Sequence, residues 1–316
     1  MAVKRIPPKG AKPTPTQSTP AVVRTAAPST RVVCQLPTKT KGVQTDLSNY
    51  TFLLYGQPKI GKTSVLATFP DALFLCTEPG AKGLDIFEYK AGEGGCAVWQ
   101  DLLDAAALLA TTDRFKYVVV DTVDKAYEMC LDYVCAKLHI KYPGVDEFGE
   151  EDWGRSWKEV RKEFTRFVDT LTRMHRGVAF TSHAKSLEIK SKQGSTYSTI
   201  VPSMGKQART TIEALVDFFL YCDYIKTSEG IERVFITEGD ETVWAGHRAP
   251  AKFPRFVPMD AEVGYAILES AFRGEAPEVR LDNLQVSTSS LAAFKKYIRN
   301  IRQSCLKKTS TLERSK

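Results

Sequence analysis

Residues 51–65, TFLLYGQPKIGKTSV, decide the fold of this chain. They predict a short apolar strand, a loop bounded by glycines and the first turns of a helix, and the loop has the spacing G-x-x-x-x-G-K-T of a P-loop. Backbone N–H groups of such a loop surround a phosphate, which requires glycine where a side chain would collide. The sequence therefore predicts nucleotide binding. The predicted binding residues are Gly56, Gln57, Pro58, Lys59, Ile60, Gly61, Lys62, Thr63 and Ser64.

Two side chains of the P-loop have predicted roles toward a nucleotide. Lys62 is expected to reach the β- and γ-phosphates and to take part in catalysis, and the Thr63 hydroxyl is expected to ligate a metal ion. The cofactors predicted from this motif are ATP and Mg²⁺.

Composition sets broad limits on the class of protein. The chain has 316 residues and is 43% apolar, which is enough for one large domain or two small ones. No apolar run approaches the roughly 20 residues that span a bilayer, and the first residues lack a signal-peptide apolar segment. We therefore expect a cytoplasmic protein without a membrane partner. Seven scattered cysteines without a C-x-x-C pair indicate neither a disulfide framework nor a zinc site.

Positive charge is concentrated at the two ends of the chain. Residues 1–45 carry eight Lys or Arg, seven Pro and no acid, which predicts a disordered basic arm. Residues 293–316 carry eight basic residues against Glu313 alone, whereas residues 46–292 carry a net charge of −8. A polyanion would meet the ends first, although basic ends also serve merely to keep a protein soluble.

Strand and helix patterns alternate through the first half of the chain. Continuous apolar runs at 72–77 and 116–121 predict buried strands. This alternation predicts an α/β fold, mainly a parallel sheet with helices on both faces. The predicted helices are 98–112, 123–138, 157–174, 204–215, 260–272 and 288–306. A β-hairpin or a mobile loop is predicted at 185–201. Strands that extend the sheet in antiparallel fashion are predicted at 216–225, 231–237 and 241–245.

Two acidic residues follow the predicted strands. Asp121 ends the run KYVVVD, and we expect it to hold the Mg²⁺ shell together with Thr63. Glu78 follows the strand 72–77 and is placed to orient or deprotonate an attacking water. A turn-forming glutamate before Pro79-Gly80 is the alternative for Glu78.

The order of these features resembles a RecA-type core. The P-loop, Glu78, Asp121 and a strand that ends at Thr181-Ser182-His183 follow one another as in that fold. More narrowly, the chain is similar to phage-encoded RecA-like ATPases of an AAA-domain family linked to single-strand annealing and recombination. The match covers about 48–270, within a predicted ATPase domain at 46–275 that precedes a linker and basic C-terminal helix or tail at 276–316. The stretches that carry the narrower resemblance are FGEEDWGRSWKEV (148–160), Gly205-Lys206, VDFFLYCDY (216–224) and the A-K-x-x-R element at 251–255.

The resemblance implies further residue roles. His183 takes the place of a catalytic switch between the γ-phosphate and the DNA loops, with a structural histidine as the alternative. ATP would lie between subunits of a ring or filament, where a cation from the neighbour completes the site. The candidate cations are Lys206, Arg209, Lys252 and Arg255. For each of them the alternative is a solvated charge on the protein surface.

The resemblance also implies a DNA loop after His183. Basic side chains with an aromatic suit a single strand, because phosphates meet the charges and bases stack on the ring. A solvated hairpin is the alternative. The implied DNA contacts are Lys185, Lys190, Lys192 and Tyr197.

Two functional hypotheses follow. The first is a DNA-dependent ATPase that acts on single-stranded DNA in phage recombination, annealing or replication as a homo-oligomer. The second is a nucleotide-switched accessory or loader factor that binds a single-strand-binding or replication protein. A small-molecule kinase is disfavoured by the length between the P-loop and Asp121 and by the lack of a lid-like arginine cluster. The acidic central region makes DNA affinity depend on the basic ends.

Overall fold

A computed structural model of the chain describes residues 36–190, 194, 196–227, 230–250, 252–277, 281–282, 285–286 and 288–313. Lys192, one of the predicted DNA contacts, and most of the predicted N-terminal arm lie outside these residues. Val43–Lys316 form one compact unit, to which the elements below belong.

The elements follow the alternation expected from the sequence. The strands are β1 (Thr51–Gly56), β2 (Ala72–Cys76), β3 (Phe87–Glu88), β4 (Tyr117–Asp121), β5 (Gly177–Lys190), β6 (Thr196–Pro202), β7 (Phe218–Thr227), β8 (Gly230–Ile236), β9 (Gly246–His247), β10 (Phe256–Pro258), β11 (Leu281–Asp282) and β12 (Gln285–Val286). The helices are α1 (Lys62–Leu66), α2 (Trp99–Leu109), α3 (Val123–Leu138), α4 (Arg155–Thr172), α5 (Lys206–Leu215), α6 (Gly264–Phe272) and α7 (Thr288–Glu313).

The main sheet has the strand order β10-β8-β7-β1-β5-β4-β2-β3, so the P-loop strand β1 lies in its middle. The strands from β7 to β3 pair in parallel, whereas β8 and β10 are antiparallel and β6 pairs antiparallel with the second half of β5. The predicted α/β class is confirmed: the sheet is mainly parallel, with helices on both faces and added antiparallel strands. The expectation for 216–225 was wrong in one respect, because β7 pairs in parallel with β1 and the antiparallel order begins at β8.

Helices cover both faces of the sheet. Alternate residues of β1 and β4 contribute to two separate cores, with Leu53 and Val118 on one face and Phe52 and Val119 on the other, all fully buried. Helices α2 to α5 cover the first face, and α1, α6 and α7 cover the second. Burial on both faces explains why these strands are continuous apolar runs rather than alternating ones.

The predicted strand at 241–245 is not formed. The Asp240 carboxylate accepts hydrogen bonds from the N–H groups of Thr242 and Val243, at 2.8 and 3.2 Å. These bonds fold the segment into a turn and take the donors that a strand ladder needs. Val243 makes a single bridge to Ile200 instead.

The basic C-terminal segment forms α7, and its first half packs against the domain. Leu291 and Phe294 are 1% and 2% exposed. The Tyr297 hydroxyl donates a hydrogen bond to the Ile267 carbonyl at 3.1 Å, and Arg302 pairs with Asp260 at 2.6 Å. This part of α7 therefore belongs to the core packing, while the predicted division of the chain at residues 45 and 275 remains a prediction. No helix in the described part of the chain is long and apolar enough to cross a bilayer.

Candidate nucleotide site

The carboxyl ends of β1, β2, β4 and β5 meet at one edge of the sheet. In the strand register, Gly56 at the end of β1 lies beside His183 of β5, and Cys76 at the end of β2 lies beside Asp121 of β4. The P-loop, Glu78, Asp121 and His183 are therefore brought to the same edge, as predicted from the order of strands.

The P-loop runs from the end of β1 to the start of α1. A Cβ on Gly56 would lie 2.5 Å from the Cys222 carbonyl oxygen, and Gly61 has a φ of +106°, so both positions need glycine. Lys62 is 6% exposed, and its Nζ donates to the carbonyls of Gly56 and Gln57, both at 3.0 Å. Burial lowers the pKa of Lys62. The ammonium group is thus held against the loop that is predicted to bind phosphates.

Thr63 and Asp121 meet beside the loop. The Thr63 hydroxyl donates to Asp121 Oδ2 at 2.8 Å, and the Thr181 hydroxyl of β5 donates to Asp121 Oδ1. Asp121 is 8% exposed. A hydroxyl and a carboxylate in contact are the oxygen ligands that Mg²⁺ takes alongside substrate phosphates, so the donor set fits this metal. The glycines and Lys62 likewise fit a nucleotide phosphate.

Glu78 and His183 lie at the open side of the site. The Thr122 hydroxyl donates to Glu78 Oε1 at 2.8 Å, and His183 Nε2 lies 3.6 Å from Glu78 Oε2. Both side chains line a cleft of about 1000 Å³. His183 Nδ1 is buried without a hydrogen-bond partner among the described residues, and the switch role of His183 stays a prediction.

A family model described as an AAA domain matches residues 48–249, well over half of the chain. The chain belongs to this AAA-domain family. Together with the P-loop geometry, the match shows a P-loop ATPase, which binds and hydrolyses a nucleoside triphosphate. The curated proteins contain no match.

Among solved structures, the AAA domain is similar to the KaiC-like protein PH0186 from the hyperthermophilic archaeon Pyrococcus horikoshii OT3. The two are 14% identical, the similarity covers 68% of this chain and 88% of that one, and the TM-score is 0.38. A TM-score this low supports no inference about function.

Asp124 is a site residue of the AAA domain that the sequence did not reveal. It lies in the first turn of α3 and accepts hydrogen bonds from the Ser182 hydroxyl at 3.1 Å, the His183 N–H at 3.2 Å and the Ser203 hydroxyl. One carboxylate thus joins α3, the end of the core part of β5 and the loop before α5. An acid in the first turn of a helix was visible in the sequence, but its partners are 58 to 79 residues away.

Replacing Asp124 with Ala is expected to lower the free energy of unfolding by about 1–3 kcal/mol, because the Ser182, His183 and Ser203 donors lose their acceptor. Asp124→Asn keeps one oxygen acceptor and is expected to lose less. Denaturant unfolding of both variants measures the difference, and equal stability of Asp124→Ala and the wild type would contradict the bridging role.

The four predicted intersubunit cations have different surroundings. Lys206 is exposed and lines the same cleft as Glu78 and His183. Arg209 is 8% exposed and lies over the Trp244 ring at 5.4 Å. An intermolecular role would require Arg209 to leave this contact.

The other two cations lie near β10. Arg255 pairs with Asp240 at 2.9 Å, and Lys252 is exposed. Lys206 is therefore the candidate of the four that lines the cleft of its own chain. Which cation acts across an interface stays a prediction.

Three of the four predicted DNA contacts lie along the hairpin formed by β5 and β6, and the fourth, Lys192, lies outside the described residues. Lys185 Nζ donates to the carbonyls of Ser203 and Met204, at 2.8 and 3.4 Å, and burial lowers its pKa. Lys190 and Tyr197 lie further along the hairpin, at its distal end. Both lysines are exposed, but Lys185 is bonded to backbone carbonyls at the base of the hairpin, whereas Lys190 lies at its distal end.

Proposed function

We propose that this AAA domain hydrolyses ATP as a homo-oligomer on single-stranded DNA, and that bound DNA stimulates hydrolysis. The observation that carries the proposal is the continuity of β5 from Gly177 to Lys190. The same strand contacts Asp121 through Thr181, contacts Glu78 through His183 and then forms one side of the basic hairpin. A displacement of the hairpin by DNA would therefore shift Thr181 and His183 relative to Asp121 and Glu78.

The proposed roles of the site residues follow from their contacts. Lys62 would hold the β- and γ-phosphates, and Thr63 with Asp121 would hold Mg²⁺, which neutralises phosphate charge when it is bound. Glu78 would take a proton from water, a role supported by its place at the cleft and by the Thr122 hydroxyl that donates to one of its carboxylate oxygens. His183, which lies on β5 between the site and the hairpin, would couple nucleotide binding at this edge to the position of the hairpin.

Assembly into a homo-oligomer would complete the open side of the site. The cleft beside Glu78 and His183 is wide and carries Lys125, Lys158 and Lys206 on its walls. In the proposed ring or filament a neighbouring subunit covers this side and supplies one further cation toward the γ-phosphate. The biological context implied by the resemblance is phage recombination, annealing or replication.

Single-stranded DNA is expected to raise the steady-state rate of ATP hydrolysis about tenfold, within the usual range of coupling between two sites. The rate is measured with single-stranded DNA, with duplex DNA and without DNA. Lys190→Glu, at the distal end of the hairpin, is expected to reduce the stimulation and to leave the DNA-free rate unchanged. Equal wild-type rates in all three conditions would contradict the proposal.

A specific observation favours the second candidate, a nucleotide-switched factor that binds a protein. Before α4 the chain forms a turn in which Phe148 and Trp153 are 83% and 87% exposed. The Asp146 carboxylate accepts the N–H groups of Phe148 and Glu150, both at 2.9 Å, so the turn is held in shape. Exposed aromatics amid several acids suit a protein surface better than DNA.

A further inference from the structure

Arg233 of β8 lies beside the P-loop, although it is far from it in sequence. β7 pairs with β1 so that Cys222 lies beside Gly56, and Arg233 of β8 lies opposite Tyr224, two residues further along β7. This register places Arg233 just beyond the end of β1, at the level of the loop. Its Nη1 atom donates to the Ile60 carbonyl at 3.3 Å.

The guanidinium lies against the glycine that precedes Lys62. A Cβ on Gly61 would be 2.7 Å from Arg233 Nη1, which is closer than a Cβ and a non-bonded heavy atom approach each other in proteins. The missing side chain at Gly61 thus leaves a gap on the loop, and a cation of the same chain lies in that gap. Glycine in a phosphate-binding loop serves to let a ligand approach the backbone closely.

The hydrogen-bonding capacity and the charge of Arg233 are largely unused by its neighbours in the described part of the chain. In the described part of the chain no carboxylate lies within ion-pair distance of it, in contrast to Arg255, Arg273 and Arg302. A guanidinium carries five N–H donors, and one of them is used on Ile60. The Arg233 side chain is exposed and also lines a cleft of about 1010 Å³ between β8 and α7.

We propose that Arg233 binds the phosphates of the nucleotide held by the P-loop of the same chain. The inference deepens the proposed ATPase function and rests on it. Arginine is suited to this role because its planar donors meet two phosphate oxygens at once and its charge persists at all relevant pH values. Lys62 and Arg233 then both act on the phosphates, before any neighbouring subunit contributes.

The competing possibility is that Arg233 only shapes the loop through its bond to Ile60. Two substitutions separate these roles. Arg233→Lys keeps the charge and a donor, whereas Arg233→Gln keeps donors and removes the charge. If the bond to Ile60 is the whole role, the two variants should bind ATP alike. If the charge meets phosphate, Arg233→Gln should bind much more weakly than Arg233→Lys.

The test is the dissociation constant of ATP, measured without DNA over a series of salt concentrations. We expect Arg233→Gln to bind about 10- to 100-fold more weakly than the wild type, the effect of losing a charge-assisted hydrogen bond. Its affinity should also depend less on salt. Arg233→Lys should recover part of the affinity, because it lacks the planar pair of donors, and the full salt dependence, because it keeps the charge. Arg273→Gln, which removes an arginine from the end of α6, is the matched control and should bind as the wild type does.

Mixing subunits tests that the contact is made within one chain. Lys62→Ala and Arg233→Gln chains are co-assembled and assayed at an ATP concentration below the dissociation constant of Arg233→Gln. No gain in hydrolysis over Arg233→Gln alone is expected, whereas recovery would show that Arg233 acts on a neighbour and would overturn the proposal. So would equal affinities of the Lys and Gln variants, provided both unfold at the wild-type temperature. A wild-type chain that binds no ATP would instead contradict the proposed ATPase function.

Discussion

Replacing Lys62 with Ala is expected to weaken ATP binding by about a hundredfold or more and to reduce hydrolysis by about 10²- to 10³-fold. Lys62 is buried against the loop, with its ammonium group on the carbonyls of Gly56 and Gln57. A phosphate that enters the loop offers this cation a far stronger partner than two neutral carbonyls. Without Lys62 the phosphate charge would rest on backbone N–H groups and Arg233.

ATP affinity is measured by titration calorimetry and hydrolysis by phosphate release. The matched control is Lys116→Ala, just before β4, where the side chain is 62% exposed and pairs weakly with Asp71 at 3.9 Å. This control should bind and hydrolyse ATP as the wild type does. Unchanged affinity and rate in Lys62→Ala would remove the phosphate-binding role assigned to the P-loop.

Replacing Glu78 with Gln is expected to reduce hydrolysis by about 10²-fold or more, which is the contribution of a general base. ATP affinity should stay within about threefold of the wild type, because Glu78 lies at the cleft rather than on the loop. The substitution keeps the shape of the side chain, and the amide oxygen can still accept the Thr122 hydroxyl that lies 2.8 Å away. What it removes is the capacity to accept a proton and the charge beside His183.

Single-turnover hydrolysis with saturating enzyme separates this chemical step from binding and product release. Glu269→Gln on α6 is the control, since that carboxylate pairs with Arg273 on the opposite face of the sheet. If Glu78→Gln hydrolyses ATP at the wild-type rate, Glu78 is no catalytic base. The nucleotide-switched factor would then be the better hypothesis, with the exposed Phe148 and Trp153 as the place to look for its protein partner.

Much of the sheet edge that carries the P-loop was predictable, because the sequence patterns that encode it are local. The glycine and lysine spacing at 56–63 has few other uses, and a continuous apolar run such as 117–120 predicts a strand buried on both faces. Parallel strands joined by helices then bring their carboxyl ends to one edge. The proximity of Glu78, Asp121 and His183 followed from these rules, whereas their chemical roles stay predictions.

Other features could not be predicted because they depend on which distant segments become neighbours. The sequence 241–245 has strand character, but the Asp240 carboxylate takes its donors. Arg209 looked like a surface cation until the fold placed it over Trp244. The basic segment at the C-terminus was predicted as a helix or tail beyond a linker, but the sequence did not show that Leu291 and Phe294 are buried.

The sequence by itself therefore determined the α/β fold, the position of the P-loop at residues 56–63 and the placement of Glu78 and Asp121 at the ends of neighbouring strands. Only the tertiary structure decided how Asp124 joins three segments and how Arg233 comes to the P-loop across 173 residues of chain. The reason is physical: a phosphate-binding loop is encoded by the conformations of adjacent residues, whereas a contact between β8 and the P-loop is set by strand order and register.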